Sequence, residues 1–304
     1  HYGLMCMFIF LFRNCSARSL IITGCSLLLV GVLFTVSGGP YMEDLKSRSG
    51  EIEQFQDAGQ ALTPEQTETL EEWEGMALLL KLAAEQVRED MAAYTAGYSK
   101  NFEQRIPIVQ MLQTQGTVGF VIWRVGGLML IGMALMKLGI ISCERSNSFY
   151  RKLMFIGYGL GLPIMLISAY GMSSHQWDAF WMFGLGGFPN YIGSILVAFG
   201  HIALVMTIVK NGILRNLMAR FTAVGRMAFT NYLAHSIVMT TIFYGYGFGL
   251  YGQIPRIWQM AFVAAMLTFQ LWFSPWWLER NRFGPAEWVW RSLSYWKRQP
   301  MAKT

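Results

Sequence analysis

Residues 19–40 of the chain read SLIITGCSLLLVGVLFTVSGGP, a run without aspartate, glutamate, lysine or arginine. A helix needs about 20 mostly apolar residues to cross the hydrocarbon core of a bilayer, so this run is long enough for one transmembrane span. Together with this run, the apolar stretch 1–12 and five later apolar runs predict an all-α, polytopic membrane helix bundle of about seven spans. The five later runs are residues 116–136, which Arg124 interrupts, 153–177, 179–209, 227–255 and 257–278.

The composition excludes other classes of protein. Charged residues make up 14% of the 304 residues and the mean hydropathy is positive at +0.35, whereas a soluble domain usually contains about 25% charged residues. A content of 54% hydrophobic residues excludes a disordered chain. Four cysteines are too few for a disulfide scaffold. We therefore predict an integral membrane protein that is embedded in the lipid bilayer.

The distribution of charge predicts how the chain is oriented. Residues 39–115 hold 14 of the 18 acidic residues and 6 of the 24 basic ones, a net charge of −8 against +14 in the remainder. The connections between the predicted spans alternate between basic and acidic or nearly neutral, and basic connections stay in the cytoplasm. We therefore expect residues 39–115 outside and the C-terminus inside. Charge blocks of this kind report topology, so no nucleic-acid partner is predicted.

The extracytoplasmic segment, residues 39–115, is predicted to be largely helical. Thr63, Pro64 and Gln66 combine an N-cap, a proline at the first helical position and a capping-box glutamine. Apolar side chains at helical spacing then predict a long amphipathic helix over residues 65–86, with a break near Gly97. Such a segment is either a solvated cap that shields the spans or a lid over an outward-facing substrate cavity, and the sequence leaves both interpretations open.

The C-terminal residues mix tryptophans with arginines, which is typical of a chain lying in the membrane interface. Gly284 and Pro285 predict a break followed by a short interfacial helix, on which Glu287 and Arg291 lie four residues apart. The sequence predicts four regions. Residues 1–38 hold a truncated first span and a second span, and residues 39–115 form the extracytoplasmic segment. Residues 116–278 form a five-span bundle, and residues 279–304 form a cytoplasmic interfacial tail.

Strongly polar side chains inside predicted spans are candidates for function because they are costly in lipid. His201 and His235 each lie nine residues from the basic end of their spans, about 13 Å deep at 1.5 Å per residue. Antiparallel neighbouring helices would bring both imidazoles into one layer. Asn231, four residues before His235, offers an amide that orients the ring. Arg124 lies in the outer half of its span, where it can bind an anion.

Each of these residues also has a structural interpretation. A histidine in a span is often a packing or interhelical hydrogen-bonding residue, and an arginine there can form a structural ion pair. Gly157 and Gly161, four residues apart, predict close helix packing, and Pro163 predicts a kink. The sequence contains no HxxH, HExxH or CxxC spacing, so no metal site is predicted.

Several blocks of sequence carry a family resemblance. Residues 225–233 read GRMAFTNYL, residues 240–244 read TTIFY, residues 283–291 read FGPAEWVWR, and residues 128–135 read LMLIGMAL. These blocks resemble the YeiB-like family of bacterial inner-membrane proteins, domain of unknown function 418, and the resemblance implies that location. Family members begin with a Leu-Asp-x-x-Arg-Gly stretch and carry a further histidine-bearing span that this chain lacks. We therefore expect an N-terminally truncated member.

The resemblance also implies a function, because the family is similar to membrane acyltransferases. Such enzymes pass an acyl group from cytoplasmic acyl-coenzyme A, a co-substrate and not a tightly bound cofactor, to an extracytoplasmic acceptor that is often a glycan. Here His235, or a histidine of the expected missing span, would act as the base, Asn231 would orient it, and His201 would supply a second imidazole. Arg226 would meet the coenzyme and Arg124 the acceptor. A transporter, or a membrane protein without turnover, explains polar residues within spans equally well.

Overall fold

The computed structural model describes residues 2–80, 84–114 and 116–303, and these residues are mainly helical. In these ranges the only β pairing is an isolated bridge between Asn281 and Ala302, so the all-α prediction is confirmed. A π-helix, Thr117–Val125, leads directly into α6. The α-helices are α1 Tyr2–Phe10, α2 Ala17–Asp57, α3 Pro64–Leu80, α4 Ala84–Ala96, α5 Tyr98–Gln113, α6 Gly126–Lys137, α7 Asn147–Ser174, α8 Ala179–Met182, α9 Gly187–Lys210, α10 Arg215–Arg226, α11 Ala228–Phe243, α12 Arg256–Arg280 and α13 Pro285–Ser294.

Five of the helical segments are long and apolar enough to cross a membrane: α2, the π-helix with α6, α7, α9 and α12. They correspond to five of the seven predicted spans. The other two predicted spans correspond to shorter helices. These are the apolar helix Tyr2–Asn14 and α11, which has 16 residues. The chain is a multi-pass membrane protein, and the count of seven spans stays a prediction.

Helix α2 continues well beyond its apolar part. The hydroxyl of Ser16 caps it by accepting a hydrogen bond from the Ser19 amide at 3.1 Å, and the helix then runs through Pro40 to Asp57. The predicted boundary between residues 38 and 39 therefore falls inside a continuous helix. Hydropathy marks the end of the apolar run, but the helix itself ends only before Gly59, whose φ of +73° favours glycine.

The segment after α2 begins with the predicted capping box. The Thr63 amide donates to Gln66 Oε1 at 2.8 Å, and the Gln66 amide donates to Thr63 Oγ1 at 3.3 Å. The predicted break is also present, because α4 ends next to Gly97, where φ is +135°. The helix predicted over residues 65–86 is represented by α3 and the start of α4, while its residues 81–83 lie outside the described residues.

The chain divides into two compact units, unit 1 with residues 1–84 and 107–211, and unit 2 with residues 85–106 and 212–304. In unit 1, α7 and α9 pack at very close range. A Cβ atom added to Gly157 would lie 2.5 Å from the backbone nitrogen of Gly200, and one added to Gly161 would lie 2.9 Å from that of Val197. The predicted close packing at Gly157 and Gly161 is confirmed.

A hydrophobic core lies beside this helix pair in unit 1. It combines buried residues of α6, α7 and α9 around Tyr150, whose hydroxyl donates to the carbonyl of Ile140 at 2.7 Å. Helix α2 joins α6 by another glycine contact, since a Cβ on Gly24 would lie 2.9 Å from the carbonyl oxygen of Gly127. Apolar packing and backbone proximity therefore hold the long helices of unit 1 together.

Candidate functional site

A cluster of polar side chains joins α11 to α12 in unit 2. Asn231 and His235 lie four residues apart on α11, and Gln270 and Ser274 lie four apart on α12. The amide of Asn231 donates to Ser274 Oγ at 3.2 Å, and Gln270 Nε2 lies 3.3 Å from His235 Nδ1. Asn231 thus contacts Ser274, and Gln270 contacts His235. Because the earlier residue on each helix contacts the later residue on the other, the two helices run antiparallel. These four residues are called the polar cluster below.

Three of the four residues of the polar cluster are buried, and their hydrogen bonds are made to other groups of the protein. Asn231 is 7% exposed, Gln270 4% and Ser274 0%, while His235 is half-buried. The Asn231 amide also donates to the carbonyl of Val224 at 3.1 Å. Buried polar groups between apolar helices are stable only when they are paired, and these contacts meet that requirement.

The amide of Gln270 determines the tautomer of His235. Gln270 Nε2 carries two hydrogens, which it donates to the backbone carbonyl of Asn231 at 3.4 Å and to His235 Nδ1 at 3.3 Å. Because Nδ1 accepts, the neutral imidazole carries its proton on Nε2. The ring is therefore oriented by Gln270, whereas the sequence suggested Asn231, whose amide donates to Val224 and Ser274 instead. In this tautomer Nε2 of His235 is a hydrogen-bond donor, and the role of His235 as a base stays a prediction.

A proline beside the polar cluster frees a backbone carbonyl in α12. Pro275 has no N–H, so the carbonyl of Leu271, four residues earlier, loses its usual helical partner. Arg220 of α10 donates from Nη1 to this oxygen at 3.1 Å. The guanidinium thus supplies the donor that the proline lacks and ties α10 to α12 next to the polar cluster.

The start of α11 is capped by a side chain that lies 57 residues further along the chain. Glu287 Oε1 accepts hydrogen bonds from the backbone amides of Phe229 at 2.8 Å and Thr230 at 3.1 Å. The Thr230 hydroxyl donates to Glu287 Oε2 and accepts from the backbone amide of Ala286 at 3.0 Å. A carboxylate is favourable at a helix N-terminus, where the backbone amides lack partners. Residues of α11 and α13 therefore cap each other.

This mutual cap gives a structural role to Gly284, Pro285 and Glu287 of the FGPAEWVWR block. A Cβ on Gly284 would lie 2.7 Å from Thr230 Oγ1, so the approach requires glycine, and Pro285 opens α13 as predicted. Glu287 therefore binds the start of α11. Arg291, four residues later, has its guanidinium carbon 4.6 Å from the centroid of the Phe283 ring.

Arg226 is the last residue of α10 and is exposed. Its Nη2 atom lies 3.5 Å from the carbonyl oxygen of Arg282, a long hydrogen bond. Most of its guanidinium donors thus remain accessible, which suits the binding of an anion.

Arg124 belongs to unit 1 and lies in the π-helix. It donates from Nη1 to the carbonyl of Tyr191 at 3.2 Å and from Nη2 to Ser194 Oγ at 2.7 Å. Its guanidinium carbon lies 4.1 Å from the centroid of the Tyr191 ring. No carboxylate among the described residues forms a salt bridge with Arg124, so its charge is held by dipoles and an aromatic face.

His201 is exposed and also belongs to unit 1. Its Nδ1 lies 2.8 Å from the carbonyl oxygen of Val197, and its ring meets Tyr158 edge-on at 5.3 Å between centroids. A carbonyl only accepts, so Nδ1 carries the proton and Nε2 has the lone pair. His201 and His235 thus have separate partners in separate units, and a shared layer stays a prediction.

Gln270, Ser274 and Arg220 were not predicted from the sequence, although each left a signal. Gln270 and Ser274 are uncharged residues four apart in an apolar run, the same spacing as Asn231 and His235. Pro275 within that run also implies a carbonyl one turn earlier that needs a new donor.

Long apolar helices, and a buried polar cluster between α11 and α12, define a multi-pass membrane protein with a buried polar site. Residues 135–297, more than half of the chain, match the family model described as "Protein of unknown function (DUF418)", and the chain belongs to this family. The matched range includes the polar cluster, Arg226 and Glu287, whereas Arg124 lies before it.

Individual relatives agree with this assignment. The uncharacterized protein YeiB of Escherichia coli (strain K12) is 33% identical over 172 residues, covering 57% of this chain and 44% of that protein. The uncharacterized protein YxaH of Bacillus subtilis (strain 168) is 44% identical over 112 residues, covering 37% and 28%. An uncharacterized 39.9 kDa protein of Bacillus acidopullulyticus is 33% identical over 109 residues, covering 36% and 31%. The chain thus spans less than half the length of these relatives, and no solved structure matches it.

Proposed function

We propose that this chain forms part of a multi-pass acyltransferase of the bacterial inner membrane, with its C-terminus in the cytoplasm. Acyl-coenzyme A is the co-substrate, and the acceptor is an extracytoplasmic molecule such as a glycan. The observation that carries the proposal is the polar cluster, in which Gln270 fixes one ring nitrogen of His235 and leaves the other as a donor. The resemblance of the GRMAFTNYL and FGPAEWVWR blocks to a family similar to membrane acyltransferases supports the same function.

The proposed reaction is the transfer of an acyl group from sulfur to oxygen. A hydroxyl of the acceptor attacks the thioester carbonyl carbon, a C–O bond forms and the C–S bond breaks. His235 donates a hydrogen bond from Nε2 to the thioester carbonyl oxygen as negative charge develops there, and the proton of the attacking hydroxyl passes to the leaving sulfur. The products are the acylated acceptor and the coenzyme A thiol, and the imidazole ends neutral. Gln270 is a positioning residue, because it acts through the ring of His235.

Arg226 is the residue proposed to bind the coenzyme. It is exposed at the end of a basic helix, and positive charge predicts that this end lies in the cytoplasm. A guanidinium forms charge-assisted, bidentate hydrogen bonds with phosphate groups, and coenzyme A carries several of them.

Coenzyme binding is tested by thermal unfolding of the purified chain in lipid nanodiscs with added acetyl-coenzyme A. We expect stabilisation that Arg226→Gln weakens, with an apparent affinity about tenfold lower. Arg215→Gln is the matched control, since it removes the same charge from the other end of α10. Absence of stabilisation at saturating acetyl-coenzyme A, or equal losses in the two variants, would contradict the proposed binding.

Group transfer is tested in membrane vesicles that contain the chain and are given acetyl-coenzyme A with a radiolabelled acetyl group. We expect label to enter an acceptor fraction, and His235→Asn to reduce the rate about 100-fold or more while coenzyme binding is retained. His175→Asn is the control, because His175 stacks on Trp181 and belongs to no part of the proposed site. Equal rates in the two variants would contradict a role of His235 in transfer.

A transporter is the second candidate, and Pro275 favours it. Transporters use interrupted helices with polar groups near the middle of the membrane, and α12 has its proline directly after Ser274. Uptake of a solute into vesicles that depends on His235, without any acyl transfer, would support the transporter instead of the enzyme.

A further inference from the structure

A cavity of about 380 Å³ opens beside Arg124 in unit 1. Its wall combines a single charged side chain with apolar and aromatic ones. The lining residues are Tyr2, Phe120, Arg124, Val125, Leu128 and Met129.

The guanidinium of Arg124 is held firmly and still has donors to offer. Its bonds to Tyr191 and Ser194 use one N–H of each terminal nitrogen, whereas a guanidinium has five N–H groups in a planar fork. A cation within an apolar span is costly, and no carboxylate of the described residues offsets it. An anion from outside the chain would complete the site.

The backbone around Arg124 is a π-helix, a rare conformation that is frequent at functional sites. This π-helix spans nine residues, Thr117–Val125. Phe120 lies in the same π-helix, with its ring centroid 5.8 Å from the guanidinium carbon of Arg124. The π-helix therefore presents a cation and an aromatic ring together at the cavity.

We propose that this cavity, named the Arg124 cavity, binds an anionic lipid of the bilayer. The lipid phosphate is held by the guanidinium, and an acyl chain lies along Leu128 and Met129. A lipid fits better than a soluble phosphate because the rim is apolar and exposed, with Tyr2 64% and Phe120 49% exposed. The ligand can thus enter sideways from the membrane. The site does not depend on acyl transfer, since binding is measured without any acyl donor.

The test compares two lipids that differ only in the charge of their headgroups. The chain in detergent is titrated with phosphatidylglycerol and with phosphatidylcholine of the same acyl chains, and bound lipid is counted by native mass spectrometry. We expect phosphatidylglycerol to bind about tenfold more tightly, and Arg124→Gln to abolish the preference. Arg18→Gln, which removes an exposed cation of the same unit, is expected to keep it. A preference that survives in Arg124→Gln, or disappears equally in Arg18→Gln, would overturn the proposal.

Two further arms separate a lipid from a soluble anion and from a loss of folding. Glycerol phosphate, the headgroup without acyl chains, is expected to leave the thermal stability unchanged, and stabilisation equal to that by phosphatidylglycerol would overturn the lipid assignment. Met129→Trp fills the cavity without removing the cation, so it is expected to weaken phosphatidylglycerol binding about tenfold. Unchanged binding in Met129→Trp would contradict the position of the acyl chain even if Arg124→Gln fails to fold.

Discussion

The helix pairs α7–α9 and α11–α12 are joined by different means. In the first pair, Gly157 and Gly161 let backbones approach until no Cβ fits between them. In the second pair, Asn231 and Gln270 bridge the helices with side-chain hydrogen bonds. Both means stabilise helices in lipid, where apolar association alone contributes little. Only the second also fixes the direction of an ionisable group, the imidazole of His235 next to Gln270.

The difference between the pairs is visible in the sequence as well. The match to the family covers residues 135–297 and so includes both pairs. The blocks GRMAFTNYL and FGPAEWVWR, however, fall on α11 and on α13, which caps it through Glu287. Polar contacts depend on particular donors and acceptors, whereas close packing asks only for small residues. Both blocks therefore belong to the region where polar contacts join the helices.

The largest loss of stability is expected at the closest contact between α7 and α9. Gly157→Ala would place its Cβ 2.5 Å from the Gly200 backbone nitrogen, so the helices must separate, and we expect a loss of about 2–3 kcal/mol in the free energy of unfolding. Gly159→Ala is the matched control, because the space around Gly159 is open and alanine favours a helix by up to about 1 kcal/mol. Reversible unfolding in detergent measures both variants. Similar losses would show that backbone proximity does not hold α7 to α9.

The next largest effect is expected at the cap of the second pair. Glu287→Ala leaves the amides of Phe229 and Thr230 without their acceptor, and we expect a loss of about 2 kcal/mol in the free energy of unfolding. Glu279→Ala removes the same charge from an exposed residue at the end of α12 and should cost less than about 0.5 kcal/mol. Tryptophan fluorescence during unfolding reports both. A loss at Glu279 as large as that at Glu287 would contradict the cap.

Local patterns in the sequence predicted much of the fold. The apolar runs predicted the long helices, the Thr63 and Gln66 pair predicted a capping box, and Gly284 with Pro285 predicted the start of α13. Each of these features is determined by residues within one or two helical turns of each other. Sequence reasoning therefore works where the partner lies nearby in the chain.

The contacts of the candidate site were not predictable in this way, because their partners lie far apart in sequence. Glu287 and Arg291 have the spacing of an ion pair, but an exposed pair contributes little, and the unpaired amides at the start of α11 offer more. Likewise Asn231 has its local neighbour His235, yet its amide donates to Ser274 on another helix. The competition between a local and a distant partner is decided by packing.

A smaller effect on stability, but a specific one on chemistry, is expected when the polar bridge is removed. Gln270→Leu takes away the donor to His235 Nδ1, so the proton is no longer restricted to Nε2, and we expect a changed ¹⁵N chemical shift at this ring. His201 is an internal control, because its partner is the Val197 carbonyl in the other unit. Nitrogen NMR of the chain with labelled histidine measures both rings. An unchanged His235 signal would mean that Gln270 does not orient the imidazole.

The smallest effect is expected in the part of unit 2 that includes α4, where apolar stacking again dominates. Tyr94 is 8% exposed and stacks on Tyr251 at 4.6 Å between ring centroids. Burial raises the pKa of Tyr94 above its usual 10.0, and the neighbouring Tyr244 and Tyr251 raise it further. Because the folded pKa is the higher one, the resulting stability is complete below pH 10 and is lost as the pH rises through the folded pKa.

Unfolding measured from neutral to alkaline pH tests this sign. Tyr94→Phe cannot ionise, so its stability should fall less steeply above pH 10.0 than that of the unmodified chain. Tyr295→Phe, in the exposed tail, measures the effect of losing a tyrosine elsewhere. Identical pH profiles for the two variants would contradict the shift at Tyr94. A shallower profile for Tyr94→Phe alone would show that burial among aromatic rings controls ionisation here, whereas hydrogen bonds control the proton of His235 in the polar cluster of the same unit.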